Sequence, residues 1–534
     1  MQKRLLINGN FYLSGPSKQK VEALYIENGK IAALGTNDEL KLQWGRPQVE
    51  LVDLEGAYVL PGLVDNHLHL PAHGMKLSTL DLSGARSKEE MLFLVQQRVN
   101  KTPEGEWVIG LNWNENAFEA SVIPTLEEVD QLSERHPIFL SRTCSHAHLA
   151  NSLAFSRAGV HPDTTDPSGG SYGRHADGRL NGMIYELASE AFYAAQPQAD
   201  YNMKKEFVRI AIQDALRLGL SAAHTEDLRY LGDLPTVLRI YKELKEEGLF
   251  FRTHHLIYHP HLTELDELGL TAGDGDEWLR IGAVKIFSDG AIGGRTAFLS
   301  QPYHDAPHTS GMAMHSQEEL NEITRQARTR KMPIAVHAIG DGGADMTIQA
   351  METYPVQQAT RYRDRLIHAQ VLRKDLIERL QCLHVAIDIQ PRFVASDFPW
   401  VLERVGASRK DYLYAWKTLL QAGLFCGGGS DAPIEPLDPL LGLHAAVTRR
   451  RPAETHAGYL ENEKLTMSEA IRLFTVGSAQ TACEEHERGR ISEGYYADLT
   501  ILDRDLLQVD PDEALQAKVK MTVVNGEIAY RDRG

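Results

Sequence analysis

The sequence predicts an α/β protein: a (β/α)8 barrel, a small β-sandwich built from both termini, and an α/β subdomain inserted into the barrel. Three observations predict it. Short apolar runs alternate with helical stretches through most of the chain. The two ends have another texture, apolar–polar alternation punctuated by Asn-Gly pairs. About 150 residues separate the first two apolar runs, far more than an ordinary connection.

Residues 1–58 read as short antiparallel strands, with Asn28-Gly29 as a hairpin turn between Leu24-Tyr25-Ile26 and Ile31-Ala32-Ala33. Residues 485–534 repeat the style, with Leu499-Thr500-Ile501-Leu502 and a second turn at Asn525-Gly526. The two segments are expected to form one sandwich. The first barrel strand is expected at Val59–Asp65, within residues 59–80. Residues 81–200 carry their own strands, Trp107–Gly110 and Pro137–Leu140, and a Gly-rich stretch at Asp166–Gly173. They read as a subdomain covering the barrel mouth. Residues 201–484 supply the rest of the barrel, with strands at Leu220–His224, Phe250–Ile257, Ile281–Phe287, Pro333–His337, Leu366–His368, Val385–Ile389 and Leu424–Gly427. Helices are expected between them, over 203–218, 234–247, 317–330, 373–381 and 411–421.

The chain has 534 residues, enough for a large core and more than one domain. Its formal charge of -17 argues against a nucleic-acid partner, which would select a basic face. No apolar run is long enough to span a membrane, and the start, Met1 to Gly9, reads as a strand entering a turn, not a signal peptide. Four cysteines, Cys144, Cys382, Cys426 and Cys483, are dispersed without a Cys-x-x-Cys pair. That pattern fits a reducing cytoplasm and no disulfide framework. A small-molecule substrate is the expected partner, and a homodimer is compatible with the sequence.

Five of the eight apolar runs end in a side chain able to ligate a metal, and parallel barrel strands gather their ends at one mouth. His67 and His69, two apart, face one side of a strand and can share an ion. Such pairs arise by chance, and this chain has two more, His146/His148 and His259/His261. Position singles out the first, because it ends the first barrel strand. His337 and His368 end later runs, and Asp431 follows Gly427-Gly428-Gly429-Ser430. Asp431 reads either as a turn residue or as a carboxylate that ligates metal and takes a proton from the attacking water. Lys285 lies mid-strand between Val284 and Ile286, where a buried charge is costly. Either it pairs with an acid such as Asp289, or its neutral amine adds CO2 to become a carbamate able to bridge two cations.

Taken together, these residues resemble the amidohydrolase superfamily, whose pattern is His-x-His on strand one, Lys on four, His on five and six, and Asp on eight. Pro61 to His69, Val284 to Ala291, Val336 to Asp341, Leu366 to Ala369 and Gly429 to Pro433 are similar to the branch containing N-substituted formamide deformylase and exoenzyme-regulator-like proteins. Ala497 to Leu502 matches the family's closing phrase. The resemblance implies two divalent ions, commonly zinc: one on His67, His69 and Asp431, one on His337 and His368, with carbamylated Lys285 between them. Asp431 would be the catalytic base. His136 to His146 also resembles the branch, with Ser145 at a usual Gly, and makes His146 a candidate for holding a substrate carbonyl. Trp113 and Arg295 are weaker substrate-binding candidates, with packing and a surface ion pair as their ordinary roles. Tyr172, Phe393 and Trp400 are aromatic candidates near the mouth. The expected activity is metal-dependent hydrolysis of C–N bonds in small non-peptide amides, with N-substituted formamides or N-acyl amines as substrates. The alternatives are ester, lactone or cyclic-amide hydrolysis, deamination, or a non-catalytic regulatory protein of the same fold. Single-metal deaminases usually carry Glu three residues after the strand-five His, where this chain has Gly340.

Overall fold

A computed structural model describes residues 3–13, 21–142, 146–356 and 361–533. Two compact units emerge, Met1–Ala72 with Ala211–Gly534, and His73–Ile210.

The first unit holds the barrel. Eight parallel strands follow one another in chain order: Leu63–Leu68, Leu220–Thr225, Arg252–Tyr258, Leu279–Phe287, Ile334–Ala338, Asp364–His368, Val385–Ile389 and Phe425–Gly428. Helices occupy the expected intervals, among them Leu234–Glu246 and Gln317–Thr329. Each starts where the sequence supplies a cap: Asp233 accepts from the Thr236 amide, and Ser316 closes a reciprocal capping box with Glu319. Their buried faces repeat at helical spacing, Val237, Ile240, Tyr241 and Leu244 in the first. The strands are buried on both faces, as a barrel wall with helices outside requires.

The ring closes between strands eight and one through glycine. A Cβ at Gly427 would lie 2.4 Å from the Asn66 side chain, and one at Gly429 would lie 2.6 Å from the His67 nitrogen. Beyond the strand ends, the Asp431 N–H donates to His67 O at 2.8 Å and the His69 N–H to Ala432 O at 2.9 Å. The Gly-rich run is therefore the seam of the barrel.

The same unit contains the sandwich. One sheet pairs Lys3–Ile7, Ala23–Glu27, Lys30–Gly35 and Glu50–Asp53; the other joins Asn10–Phe11 and Tyr58–Pro61 to Leu499–Leu502, Val519–Val524 and Glu527–Arg531. Leu6, Leu24, Ile26 and Val59 pack with Leu499 and Val523 from the opposite end of the sequence. Both Asn-Gly turns take left-handed backbone, Asn28 at φ 56° and Asn525 at φ 54°, each followed by glycine.

One expected element differs. Val59–Asp65 is not a single barrel strand: Tyr58–Pro61 belongs to the sandwich, and only Leu63–Leu68 enters the barrel. The break is Gly62, whose N–H donates to Asp498 O at 2.7 Å and whose missing Cβ would lie 2.3 Å from Ser221 Oγ. A continuous apolar run hides such a change of sheet, because both halves are buried.

The second unit is built on a six-stranded mixed sheet that includes Val108–Trp113 and Ile138–Arg142. Trp113, Val108, Ile138, Leu140 and Leu149 form its core on one side; Phe139, Phe155, Ile184 and Phe192 form a core on the other. Among the described residues, Cys382, Cys426 and Cys483 are free thiols, and Cys144 lies outside them. No helix among them is long and apolar enough to cross a membrane.

Candidate active site

The seam brings the first and eighth strands' polar ends together. His67 ends up fully buried, with its Nε2 3.5 Å from Asp431 Oδ1; His69 Nε2 is 3.6 Å from the same oxygen. His67, His368 and Asp431 place ligand atoms within 4.8 Å of one another. His337 packs edge-on against His368, ring centres 4.4 Å apart. Lys285, also fully buried, directs Nζ to His67 Nε2 at 2.9 Å. The six expected residues thus gather at one place. Asp431 and His368 take left-handed backbone, φ 60° and 78°. That conformation costs a non-glycine residue of order 1 kcal/mol or more, and strain of this kind collects at functional sites.

The histidines are oriented by partners that the sequence did not point to. His69 Nδ1 lies 3.0 Å from Glu226 O, and His368 Nδ1 lies 2.8 Å from Gln390 Oε1. A ring that donates from Nδ1 keeps its Nε2 lone pair for an ion. His337 is turned the other way: its Nε2 sits 3.0 Å from Gly290 O, which leaves Nδ1 as the donor atom. Below them, Asp65 accepts the backbone N–H groups of Ser430 and His67. Asp388 receives Asn66 Nδ2 at 2.7 Å and Arg365 Nη2 at 2.6 Å, which anchors the strand carrying His67. Except for Asp65 and His67, two residues apart, none of these partners is near its client in sequence. Glu226 carried the one visible signal, an acid directly after the second barrel strand.

Electrostatics favour the neutral ligand form at His67 and His337, and the opposite at His69. Burial, then the Lys285 charge, holds the His67 imidazole well below its usual value and brings His337 down to about 3. Both are neutral, as metal ligation needs. Burial also pulls on His69, but its hydrogen bond to Glu226 and the Asp431 charge outweigh it and raise the ring. Burial lowers the Lys285 amine to about 8, against the pull of Asp431. An amine so depressed is partly neutral near physiological pH, the form that adds CO2. This donor set, imidazoles with a carboxylate and a nucleophilic amine, fits divalent first-row ions.

Lys285 does not pair with Asp289. That carboxylate accepts the N–H groups of Phe298, Ile339 and Gly340 at 2.9, 3.0 and 2.7 Å, bracing the loop after the fifth strand. At Gly340 a Cβ would meet Phe298 O at 2.0 Å, so the backbone leaves no room for a glutamate there.

The remaining candidates disperse. Trp113 is fully buried in the second unit's core and donates its indole N–H to Leu140 O, so packing, not substrate contact, is the role its position gives it. Arg295 makes a surface ion pair with Asp305 at 2.6 Å, so its guanidinium is already engaged. His146, in the second unit, is exposed and lies 2.8 Å from Glu186; Ser145 beside it lies outside the described residues. Tyr172 belongs to that unit's core as well. Trp400 donates to Ser396 O and stacks under Arg404. Only Phe393 touches the site, edge-on to His368 at 6.1 Å.

Comparison with known proteins decides the family. The amidohydrolase family model matches residues 50–530. The chain belongs to the amidohydrolase family. YtcJ of Bacillus subtilis, itself named as an amidohydrolase, is 41% identical over 99% of both chains. The N-substituted formamide deformylase of Arthrobacter pascens is 26% identical over 100% of this chain and 99% of its own. The crystal structure of a metal-dependent hydrolase from Pyrococcus horikoshii OT3 superposes with a TM-score of 0.76, at 31% identity over 96% of this chain and 99% of the other. The expected family, branch and barrel are those found. As an amidohydrolase the chain is a metal-dependent hydrolase acting on small molecules.

Proposed function

We propose that this amidohydrolase cleaves the C–N bond of small non-peptide amides, with N-substituted formamides and N-acyl amines as substrates. One observation carries the reading: His67, His368 and Asp431 converge within 4.8 Å, with the buried Lys285 amine 2.9 Å from His67. His67, His69 and Asp431 would hold one divalent ion, zinc in the first instance; His337 and His368 would hold a second, with carbamylated Lys285 between them. Ions bound there supply Lewis acidity, which makes water nucleophilic at neutral pH and polarises a carbonyl.

The chain's own residues do the rest. Asp431 accepts a proton from the attacking water at its carboxylate and delivers it to the leaving nitrogen. Burial raises its carboxyl above the usual range, which suits a group that must both take and release a proton. Glu226 and Gln390 keep two imidazoles aimed, and Phe393 closes an apolar wall beside His368. The likeness to a deformylase over the whole chain supports small acyl groups. The closed backbone at Gly340 weighs against deamination by a strand-five glutamate. The free thiols Cys382, Cys426 and Cys483 suit a cytoplasmic setting.

The test is amine release from a panel of formamides and N-acyl amines by metal-loaded enzyme. Asp431→Asn is expected to abolish release while keeping most of the metal. Elemental analysis should find up to two ions per chain. Lys285→Ala should lose metal and activity together, with partial recovery in short carboxylic acids. Cleavage of esters, lactones or aminated rings with none of the amides would overturn the amidase reading.

A further inference from the structure

Arg229 stands at the carboxyl ends of the barrel strands without an acidic partner among the described residues. It lies in the helical turn Leu228–Leu231, just after the second strand, and is exposed while its neighbours Leu228 and Leu231 are buried. Its backbone is fixed, the N–H donating to Glu226 Oε1 at 3.1 Å. Its guanidinium rests on aromatic faces: 4.9 Å from the centre of Phe287, 5.8 Å from Tyr258 and 6.0 Å from Tyr230. No oxygen among the described residues pairs with its guanidinium. The contrast with arginines that follow other barrel strands is direct: Arg295 has Asp305, and Arg373 has three aspartates.

The rings that hold Arg229 also touch the candidate metal ligands. Tyr230 packs against His69 at 5.6 Å, Phe287 packs against His337 at 5.1 Å, and Lys285 Nζ sits 4.9 Å from the same Phe287 ring. One aromatic layer therefore separates this guanidinium from both groups of ligands. A third cationic centre beside an ion-binding site is unfavourable unless an anion balances it. The aromatic rings offer the guanidinium no hydrogen-bond acceptor, and its N–H groups form the fork that matches a carboxylate. Neither family resemblance nor composition pointed to this residue.

We propose that Arg229 binds a carboxylate on the amine portion of the substrate, so that the preferred substrates are N-acylated amino acids. The inference rests on the amidase reading and narrows it. The scissile amide lies at the ligand cluster, and the acid reaches outward over Phe287 to Arg229. Tyr230 and Tyr258 fix the guanidinium in place, which limits the ordering required when the substrate binds.

The experiment pairs each N-formyl or N-acetyl amino acid with its uncharged carboxamide, and measures kcat/KM for metal-loaded wild type, Arg229→Met and Arg229→Lys. The expected result is an acid-over-carboxamide preference in wild type, expressed in KM. It should fall by roughly ten- to a hundredfold in Arg229→Met, the range of a charged hydrogen-bonded contact, and return in part in Arg229→Lys. Equal rates on acid and carboxamide, or a preference that survives Arg229→Met, overturns the proposal while leaving the amidase reading intact. If no amide is cleaved, the amidase reading fails, and calorimetric binding of N-acetyl amino acids against their carboxamides still decides Arg229. Tighter binding of the acid that is lost in Arg229→Met upholds the carboxylate site; equal binding overturns it.

Discussion

Gln390 and Glu226 do for the imidazoles what no ligand can do alone: they fix which nitrogen is free. With Gln390 Oε1 2.8 Å from His368 Nδ1, Gln390→Leu leaves the ring able to rotate. A loss of metal affinity of roughly 10–100-fold is expected, the usual effect of removing such a partner. Isothermal titration of zinc into chelated protein measures it, and an unchanged affinity would exclude the orienting role. A second expectation concerns Lys285, whose amine falls to about 8 by burial, from an ordinary 10.5. The folded chain sheds that proton near pH 8, the unfolded chain near 10.5, so the unfolded state binds more protons between them and stability rises with pH there. Below pH 8 the buried ammonium costs the metal-free fold about 3 kcal/mol. Chelated Lys285→Met should therefore unfold at higher urea than chelated wild type at pH 7, with the gap closing as pH climbs to 10.5. Residues such as Lys285 and His368 were legible because a polar side chain within or ending an apolar run is a local signal. Gln390, Asp65 and Arg229 were not, since each owes its meaning to a neighbour on another strand.

At the scale of elements, the barrel was legible from alternation, and its seam was not. Gly427, Gly428 and Gly429 read as a turn because sequence shows flexibility and not proximity. In the fold Gly427 and Gly429 let strand eight approach Asn66 and His67, while Gly428 lies against Phe474. Gly429→Ala puts a Cβ 2.6 Å from the His67 nitrogen and 2.7 Å from Asp65 Oδ1. Opening the seam should cost about 1–3 kcal/mol, the range of overpacked sites. It should weaken metal binding as well, because Asp431 is carried on the same turn. Urea midpoints and metal titration of the one variant check both, and a stability loss with intact metal affinity would separate the seam from the site. Gly62 gave no warning for a similar reason: strands on either side of it are equally apolar, and only the partner sheet tells them apart.

At the scale of the whole molecule, the sandwich and the barrel are joined by buried polar contacts. Arg252, at the start of the third barrel strand, is fully buried and reaches Asp498 at 2.8 and 3.1 Å, with Tyr496 stacked 4.1 Å away. Asp498→Ala leaves that guanidinium without its counter-charge, and a loss of about 3–5 kcal/mol is expected. Thermal unfolding followed at two wavelengths checks it; a change within 1 kcal/mol would mean that Tyr496 and Asn525, whose Oδ1 accepts from Arg252 Nη2 at 3.0 Å, suffice. The same joint has a consequence in time. Thr500 Oγ1 accepts the Leu63 N–H across 437 residues, and Leu499–Leu502 lies beside Tyr58–Pro61. At roughly 5–20 residues per second, a ribosome needs on the order of 20–90 s to travel from one to the other. Throughout that interval the newborn chain carries an unpaired strand edge, the kind of surface that draws chaperones or other nascent chains.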